Sequence, residues 1–239
     1  PKGRIIGDFT VTCLNDEEFQ LTASYGSQEY HLRWFLQNKK NGVNIENISD
    51  KMNGFQIAGP NSRKLLQKVT NFSLEDFKFR DAHTILVGNI SCLVQRVSYT
   101  GDLGFEIYCG PNKQCDLWEV LWSAGAEFDI KPFGMRAMMS LRLDKFFGSW
   151  LSEFSPDYTP AETGLDKFIN FKKDYDFIGR SAAYAEHING CERKLCIFEV
   201  DADDADVVGY EPISLGNKVV GFCTSGGFSH HTGKSIAFG

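Results

Sequence analysis

The sequence lacks most of the features that would assign it at a glance. Histidine is scarce, 5 in 239 residues. The adjacent pair His230 and His231 has no cysteine or acidic partner at ligand spacing, so surface histidines are expected there and no metal site. The 7 cysteines are odd in number and scattered, without a CxxC pair; this predicts free thiols in a reducing compartment and no zinc centre. Basic residues are outnumbered, 25 Lys and Arg against 31 Asp and Glu, for a formal net charge of -6. Such a balance repels polyanions, so neither nucleic acid nor an anionic membrane surface is an expected partner. No run of about eighteen apolar residues is present, which argues against a membrane-spanning helix, and no signal-peptide pattern opens the chain.

Phosphate-loop signatures are missing too. Thr224-Ser-Gly-Gly227 lacks the GxxxxGK spacing and stands between strand patterns, which predicts a turn. No GxGxxG follows a strand, so no dinucleotide-binding unit is expected. The acidic run Asp201 to Asp206 has neither the glycine nor the terminal glutamate of a calcium loop and reads as a solvated loop. No Ser-His-Asp or Cys-His signature stands out locally, which leaves spatial arrangements open.

What is present is a globular pattern, with 42% apolar residues, enough for a sizeable core. Residues 3 to 25 read as two strands around the polar turn Asn15-Asp-Glu-Glu18, with Ile5, Phe9, Val11 and Cys13 on one face and Asp8 on the other. A helix is predicted from Ser27 to Asn41, then strand, turn and helix start over Gly54 to Asn61, with Pro60 in the first helical turn and Leu65, Leu66 and Val69 inward. Strands at Thr84 to Val87 and Ile90 to Ser98 flank the hairpin dipeptide Gly88-Asn89; Gly104 to Tyr108 is another. A helix follows with Leu117, Trp118, Leu121 and Trp122 at helical spacing. Met135 to Phe146 is helical by pattern and carries Arg142 inside its apolar stripe. From Lys194 onward short strands dominate: Leu195 to Val200, Lys218 to Thr224 and Lys234 to Phe238.

The fold class is thus α+β with a small C-terminal β domain. The expected organisation is 1–48 and 131–190 as parts of one domain, 49–130 as an α+β subdomain, and 191–239 as an incomplete β domain. The first residue is Pro1, strand-like pattern starts at Ile5, and Ser235 to Gly239 ends inside a strand-like run. A piece truncated at both ends of a longer polypeptide is expected.

Three charged residues stand where a fold alone would not need them. Asp8 is the sole carboxylate of an otherwise apolar and threonine-rich strand, where the plain alternative is a wet strand face. Glu106 alternates with Phe105 and Ile107, shares a face with Tyr108, and follows the hairpin tip Thr100-Gly-Asp102. It is either half of a cross-strand ion pair or an acceptor for a planar amidine-like edge, such as the 2-amino and N3–H edge of a pterin. Arg142 on an apolar helix face needs a partner, an internal carboxylate or that of a ligand.

The segment Tyr99-Thr-Gly-Asp-Leu-Gly-Phe-Glu106 resembles the folate-site signature of the aminomethyltransferase (glycine cleavage T-protein) superfamily. Further segments fall in the family's order: Pro1 to Asp8, Ile57 to Pro60, Leu141 to Asp144, Glu162 to Leu165, Asp176 to Gly179 and Thr224 to Gly226. Within it, His31-Leu-Arg-Trp34, Trp150-Leu-Ser-Glu153, Glu162-Thr-Gly-Leu-Asp166 and Gly221 to Phe238 are more similar to the C-terminal folate-binding half of FAD-linked dimethylglycine or sarcosine dehydrogenases. The family's Gly-Ala-Arg-Asp and double aspartate are replaced by Arg136-Ala-Met-Met139 and Gly7-Asp8.

The resemblance implies the folate-binding aminomethyltransferase fold and tetrahydrofolate-dependent one-carbon transfer. Asp8 would be the acid/base carboxylate near folate N10, Glu106 would grip the pterin, Tyr99 would pack beside it, and Arg142 would lie toward the carboxylate tail. Tetrahydrofolate is the implied cofactor, with FAD only in an N-terminal oxidoreductase domain of the parent chain. A small N-methyl amine or its iminium is the implied donor, in the cytoplasm or the mitochondrial matrix. Two alternatives on the same fold are a glycine cleavage aminomethyltransferase and a folate-binding regulatory or assembly protein without turnover; an S-methyl demethylase using the same folate site is a third reading.

Overall fold

The computed structural model describes residues 2–239; Pro1, which opens the first segment quoted above, lies outside the described residues. The chain divides into two units, Thr10–Met138 and the residues up to Phe9 with Met139–Gly239.

The Thr10–Met138 unit opens with an antiparallel hairpin of β1 (Thr10–Cys13) and β2 (Phe19–Thr22). Asn15 Oδ1 accepts the Glu17 N–H at 3.0 Å within its turn. The two-strand reading holds, but its facing is reversed. The strand begins at Thr10, Val11 is 60% exposed, and Thr12 is the inward residue at 6%. Thr12 turns in because its hydroxyl has a buried partner, accepting from Gln95 Nε2 at 2.9 Å. Helix α1 (Gln28–Asn38) lies within the predicted span.

The body of this unit is a four-stranded antiparallel sheet of β3 (Asn53–Ala58), β4 (Ala82–Val87), β5 (Ile90–Gln95) and β6 (Gly104–Cys109), in the order β3-β6-β5-β4. Helices α2 (Ser62–Lys68) and α3 (Gln114–Gly125) pack on one face. Leu65, Leu66, Leu117 and Leu121 meet Ile57, Phe105, Ile107 and Val94 there in one buried cluster. Each such side chain contributes about 1.5–3 kcal/mol by leaving water, so this face holds the unit together. Period-2 strands thereby leave their even-numbered partners, Gln56, Glu106 and Tyr108, on the opposite face. Pro60 stands outside the expected first turn, immediately before the N-cap Asn61. Of the apolar residues read on α3, the leucines are inward, while Trp118 and Trp122 stack on each other at 5.3 Å and stay partly exposed.

Helix α4 (Met135–Leu141) leads out of this unit. It is shorter than the predicted Met135 to Phe146, because the chain tightens to a 3-10 turn at Arg142–Lys145 and ends on left-handed Phe146, φ 55°. The other unit adds α5 (Pro160–Thr163) and α6 (Arg180–Asn189). A reciprocal cap starts α5: Thr159 Oγ1 accepts the Glu162 N–H, and Glu162 Oε2 accepts the Thr159 N–H. Its strands are β7 (Ile197–Val200), β8 (Pro212–Leu215), β9 (Lys218–Phe222), β10 (Ser225–Ser229) and β11 (Lys234–Phe238). They form the sheet β10-β11-β7 and the hairpin β8-β9. The expected turn at Thr224 to Gly227 is instead the start of β10, paired residue by residue with β11 from Ser225 opposite Phe238. Gly226 makes this possible, since a Cβ there would stand 2.1 Å from the Val207 carbonyl oxygen.

Candidate functional site

The polar face of the four-stranded sheet carries a row of three side chains. Gln56 on β3 and Gln95 on β5 are both in direct register with Glu106 on β6, one on either side. Cross-strand partners share a face at about 5 Å, so these form one band of amide, carboxylate and amide. Gln95 is buried and committed to Thr12. Glu106 is half-buried, and its Oε2 accepts the Tyr108 hydroxyl at 2.5 Å. Thr22 in turn hydrogen-bonds to Tyr108, so the β1-β2 hairpin supports the carboxylate through the phenol.

Among the described residues no cation pairs with Glu106, and Tyr108 is its one hydrogen-bond partner. The expected alternative of a cross-strand ion pair is not what the sheet holds. Loss of hydration on burial raises the Glu106 pKa, and the Tyr108 hydrogen bond partly opposes that rise. The Tyr108 phenol is itself driven up, by burial first and then by the adjacent carboxylate, so it remains a donor. Its ring lies against Gly54, where a Cβ would come within 2.8 Å of the ring carbons.

Gln56 is the residue that sequence reasoning missed. Both amide atoms, Oε1 and Nε2, are buried with no hydrogen-bond partner among the described residues. A buried amide left unsatisfied costs about 1–3 kcal/mol per group. A glutamine between apolar strand residues was the available signal, but read alone it looks like a wet strand face.

The turn preceding β6 presents Tyr99. Ser98 Oγ and Thr100 Oγ1 are 2.8 Å apart, and Thr100 Oγ1 also accepts the Asp102 N–H, which fixes the Thr-Gly-Asp tip. Tyr99 is half-buried beside this tip. Glu106 and Tyr99 thus come from one hairpin of one unit.

Asp8 and Arg142 belong to the other unit. The residues leading to Asp8 are anchored: Ile5 N–H donates to the Tyr158 carbonyl at 3.0 Å, and Arg4 Nη1 to those of Pro156 and Asp157. The Asp8 carboxylate is exposed, bears no hydrogen bond or ion pair among the described residues, and has a pKa raised by partial desolvation. It precedes strand β1 and does not lie within it.

Arg142 is 1% exposed and its donors are spent internally. Nη1 meets Glu153 Oε2 at 3.1 Å and the Phe147 carbonyl at 2.8 Å; Nη2 donates to Ser225 Oγ at 2.6 Å and Nε to the Met139 carbonyl at 3.2 Å. The Phe238 ring covers the guanidinium at 5.2 Å. Burial pushes the Glu153 carboxyl up, but Arg142 and hydrogen bonds from Ser225, Thr224 and the Ser149 N–H outweigh it and hold the carboxyl below its usual range. This is the internal-carboxylate alternative for Arg142; a ligand carboxylate would require the guanidinium to be freed from these contacts. The Thr-Ser-Gly stretch at 224–226 supplies two of the hydroxyls in this network. Among the described residues no group of His, Cys, Asp and Glu could hold a metal ion.

Two family models match the chain: the GCVT N-terminal domain over residues 1–173 and the glycine cleavage T-protein C-terminal barrel domain over residues 193–239. The chain belongs to the glycine cleavage T-protein family. Human mitochondrial dimethylglycine dehydrogenase is 39% identical over 243 residues, covering 100% of this chain and 28% of the relative. An aminomethyltransferase of Thermoanaerobacter sp. (strain X514) is 36% identical over 239 residues, covering 98% of this chain and 64% of the relative. The crystal structure of glycine cleavage system aminomethyltransferase T from Bartonella henselae superposes with a TM-score of 0.85 at 21% identity, over 99% of this chain and 64% of that one. The likeness establishes the fold, the expected mixed α+β aminomethyltransferase fold with a C-terminal β domain. The chain spans under a third of the dehydrogenase and 64% of the aminomethyltransferase. No helix among the described residues is long and apolar enough to cross a membrane.

Proposed function

We propose that this chain holds the tetrahydrofolate site for one-carbon transfer in a dimethylglycine- or sarcosine-dehydrogenase-like enzyme. The observation that carries the reading is Glu106: a desolvated carboxylate that meets no cation among the described residues, one oxygen engaged by Tyr108 and the other open. A pterin offers the complement, two adjacent N–H donors on a planar edge. The family to which the chain belongs uses tetrahydrofolate, and the donor set fits it.

On this reading Glu106 accepts from the 2-amino group and N3–H, and Tyr99 packs beside the ring. Tetrahydrofolate supplies two nucleophilic nitrogens, N5 and N10, for a carbon at the formaldehyde level. Asp8 takes up and returns a proton near N10; a raised pKa brings a carboxylate closer to a useful working range for that task. Arg142 enters as a positioning residue, holding Ser225 and Glu153 together beneath the C-terminal strands. The relatives named dimethylglycine dehydrogenase support an FAD-linked oxidoreductase domain in the same longer chain, a small N-methyl amine as donor, and the mitochondrial matrix as compartment.

Incubating the intact protein with tetrahydrofolate and dimethylglycine and following 5,10-methylene product tests this directly. Product forms with the native chain, and Asp8→Asn abolishes it while folate binding persists. Unchanged product formation in that variant removes Asp8 from the mechanism. A second reading, transfer of a glycine-derived aminomethyl group, is favoured by the 36% identity to an aminomethyltransferase; turnover with that donor and none with dimethylglycine selects it. Folate binding without turnover of either donor selects a regulatory or assembly role.

A further inference from the structure

We infer that Gln56 is a second recognition residue for the bound heterocycle, reading the edge next to the one held by Glu106. This rests on the folate reading above and adds a contact to it.

Two observations lead to Gln56. Its Cα is the direct register partner of Glu106 across β3 and β6, so both side chains rise from the same face as neighbours. Its amide oxygen and nitrogen are both buried, and neither meets a partner among the described residues, whereas Gln95, the corresponding glutamine on the other side of Glu106, is satisfied by Thr12. A buried amide with both groups unmade is tolerated where something else completes it.

The chemistry of the completing group follows from what is left open. Glu106 Oε1 is an acceptor, and the Gln56 amide offers one donor and one acceptor side by side, in either orientation because the amide turns over. The open set along the row is therefore acceptor, donor, acceptor. A reduced pterin presents the complementary sequence on one edge: the 2-amino donor, the N1 acceptor and the N8–H donor. Gln56 would hold N1 and N8–H while Glu106 takes the 2-amino group, and N3–H shares the carboxylate.

The test is binding to the intact protein, followed by isothermal titration, with 5-formyltetrahydrofolate as the air-stable probe. Its counterpart in which a CH2 group replaces the N8–H is the second probe. The native chain prefers the first probe to the second. Gln56→Leu loses roughly ten-fold or more in affinity for the first, because a buried hydrogen-bonding array loses its partner, and no longer discriminates between the two. Gln56→Glu keeps an acceptor for N8–H but has no donor for N1; it binds more weakly than the native chain and retains part of the preference. Thermal unfolding without ligand serves as control, and Gln56→Leu is expected to be at least as stable as the native chain, since it removes an unsatisfied amide. Native affinity and native discrimination in both variants overturn the inference. So does a marked loss of unliganded stability with affinity unchanged, which would make Gln56 a contact to other parts of the protein. If Glu106→Gln weakens binding while the Gln56 variants do not, this inference alone fails. If the native chain binds neither probe, the folate reading fails first.

Discussion

Tyr108 governs how much of the Glu106 charge survives burial. Only the ionised carboxylate accepts two N–H groups, so ligand binding through it holds above its pKa and declines as pH falls through that value. Desolvation has already moved the value upward, and the phenol hydrogen bond opposes the move. Tyr108→Phe removes the opposing contribution while keeping the ring that lies over Gly54. The acid limb of folate binding is therefore expected to shift to higher pH in the variant, with affinity at alkaline pH reduced less than at neutrality. Binding measured across pH for both proteins checks this; coincident limbs would separate the phenol from the carboxylate. Glu106 and Tyr108 were legible in the sequence because period-2 alternation with Phe105 and Ile107 fixes their face. Gln56 and Gln95 were not, since register between distant strands, invisible along the chain, is what lines them up with Glu106. Arg142 was legible as a residue in need of a partner. That Glu153, eleven positions on in a segment without regular structure, would be that partner was not.

At the scale of elements, β10 shows where local pattern fails. Ser225-Gly-Gly-Phe-Ser229 has two glycines and no β-branched residue, so propensity alone gives a turn. The strand forms because β11 is an apolar run with an open edge, and because only glycine fits beneath Val207. Tertiary pairing outweighs a local preference that spans about 1 kcal/mol. Gly226→Ala should thus cost about 1–3 kcal/mol, as overpacking against backbone does, or more if β10 detaches from β11. Urea unfolding of the variant provides the measure. Gly26→Ala is the matched control: no described residue lies within 4 Å of its added methyl, and its stability is expected to stay near native. The hairpin around Gly88-Asn89 and the inward leucines of helices α2 and α3 were by contrast readable, because turn residues and apolar spacing there agree with the packing. The first strand failed in a third way. Its apolar alternation pointed Val11 inward, yet a buried hydrogen bond to Gln95 placed Thr12 there instead.

On the scale of the whole molecule, the two units carry buried carboxylates displaced in opposite directions, and acid should separate them. Glu153 lies below the ordinary carboxylate value of 4.5. Its contribution to stability is complete above that value and is lost as pH falls from there through the lowered native pKa, because the unfolded chain takes up the proton first. Glu106 lies above 4.5, so its ionisation costs the other unit stability at neutral pH. Protonation relieves that cost as pH falls through the raised native pKa toward the unfolded value. Asp8 is shifted in the same sense as Glu106 and shares a unit with Glu153, but its exposure weakens its share. Below about pH 4.5 the unit with Arg142 should consequently open first, while the Thr10–Met138 unit is held or strengthened. Amide hydrogen exchange distinguishes the two, with strands β10 and β11 losing protection before β5 and β6. Glu153→Gln provides the decisive comparison. It leaves Arg142 buried without its counter-charge, which typically costs 3–5 kcal/mol at neutral pH, but it has no proton to gain. Stability of its unit should be lower than native and nearly flat across the acid window, and the two curves should converge as pH falls. Parallel curves would mean that a group other than Glu153 sets the acid limit.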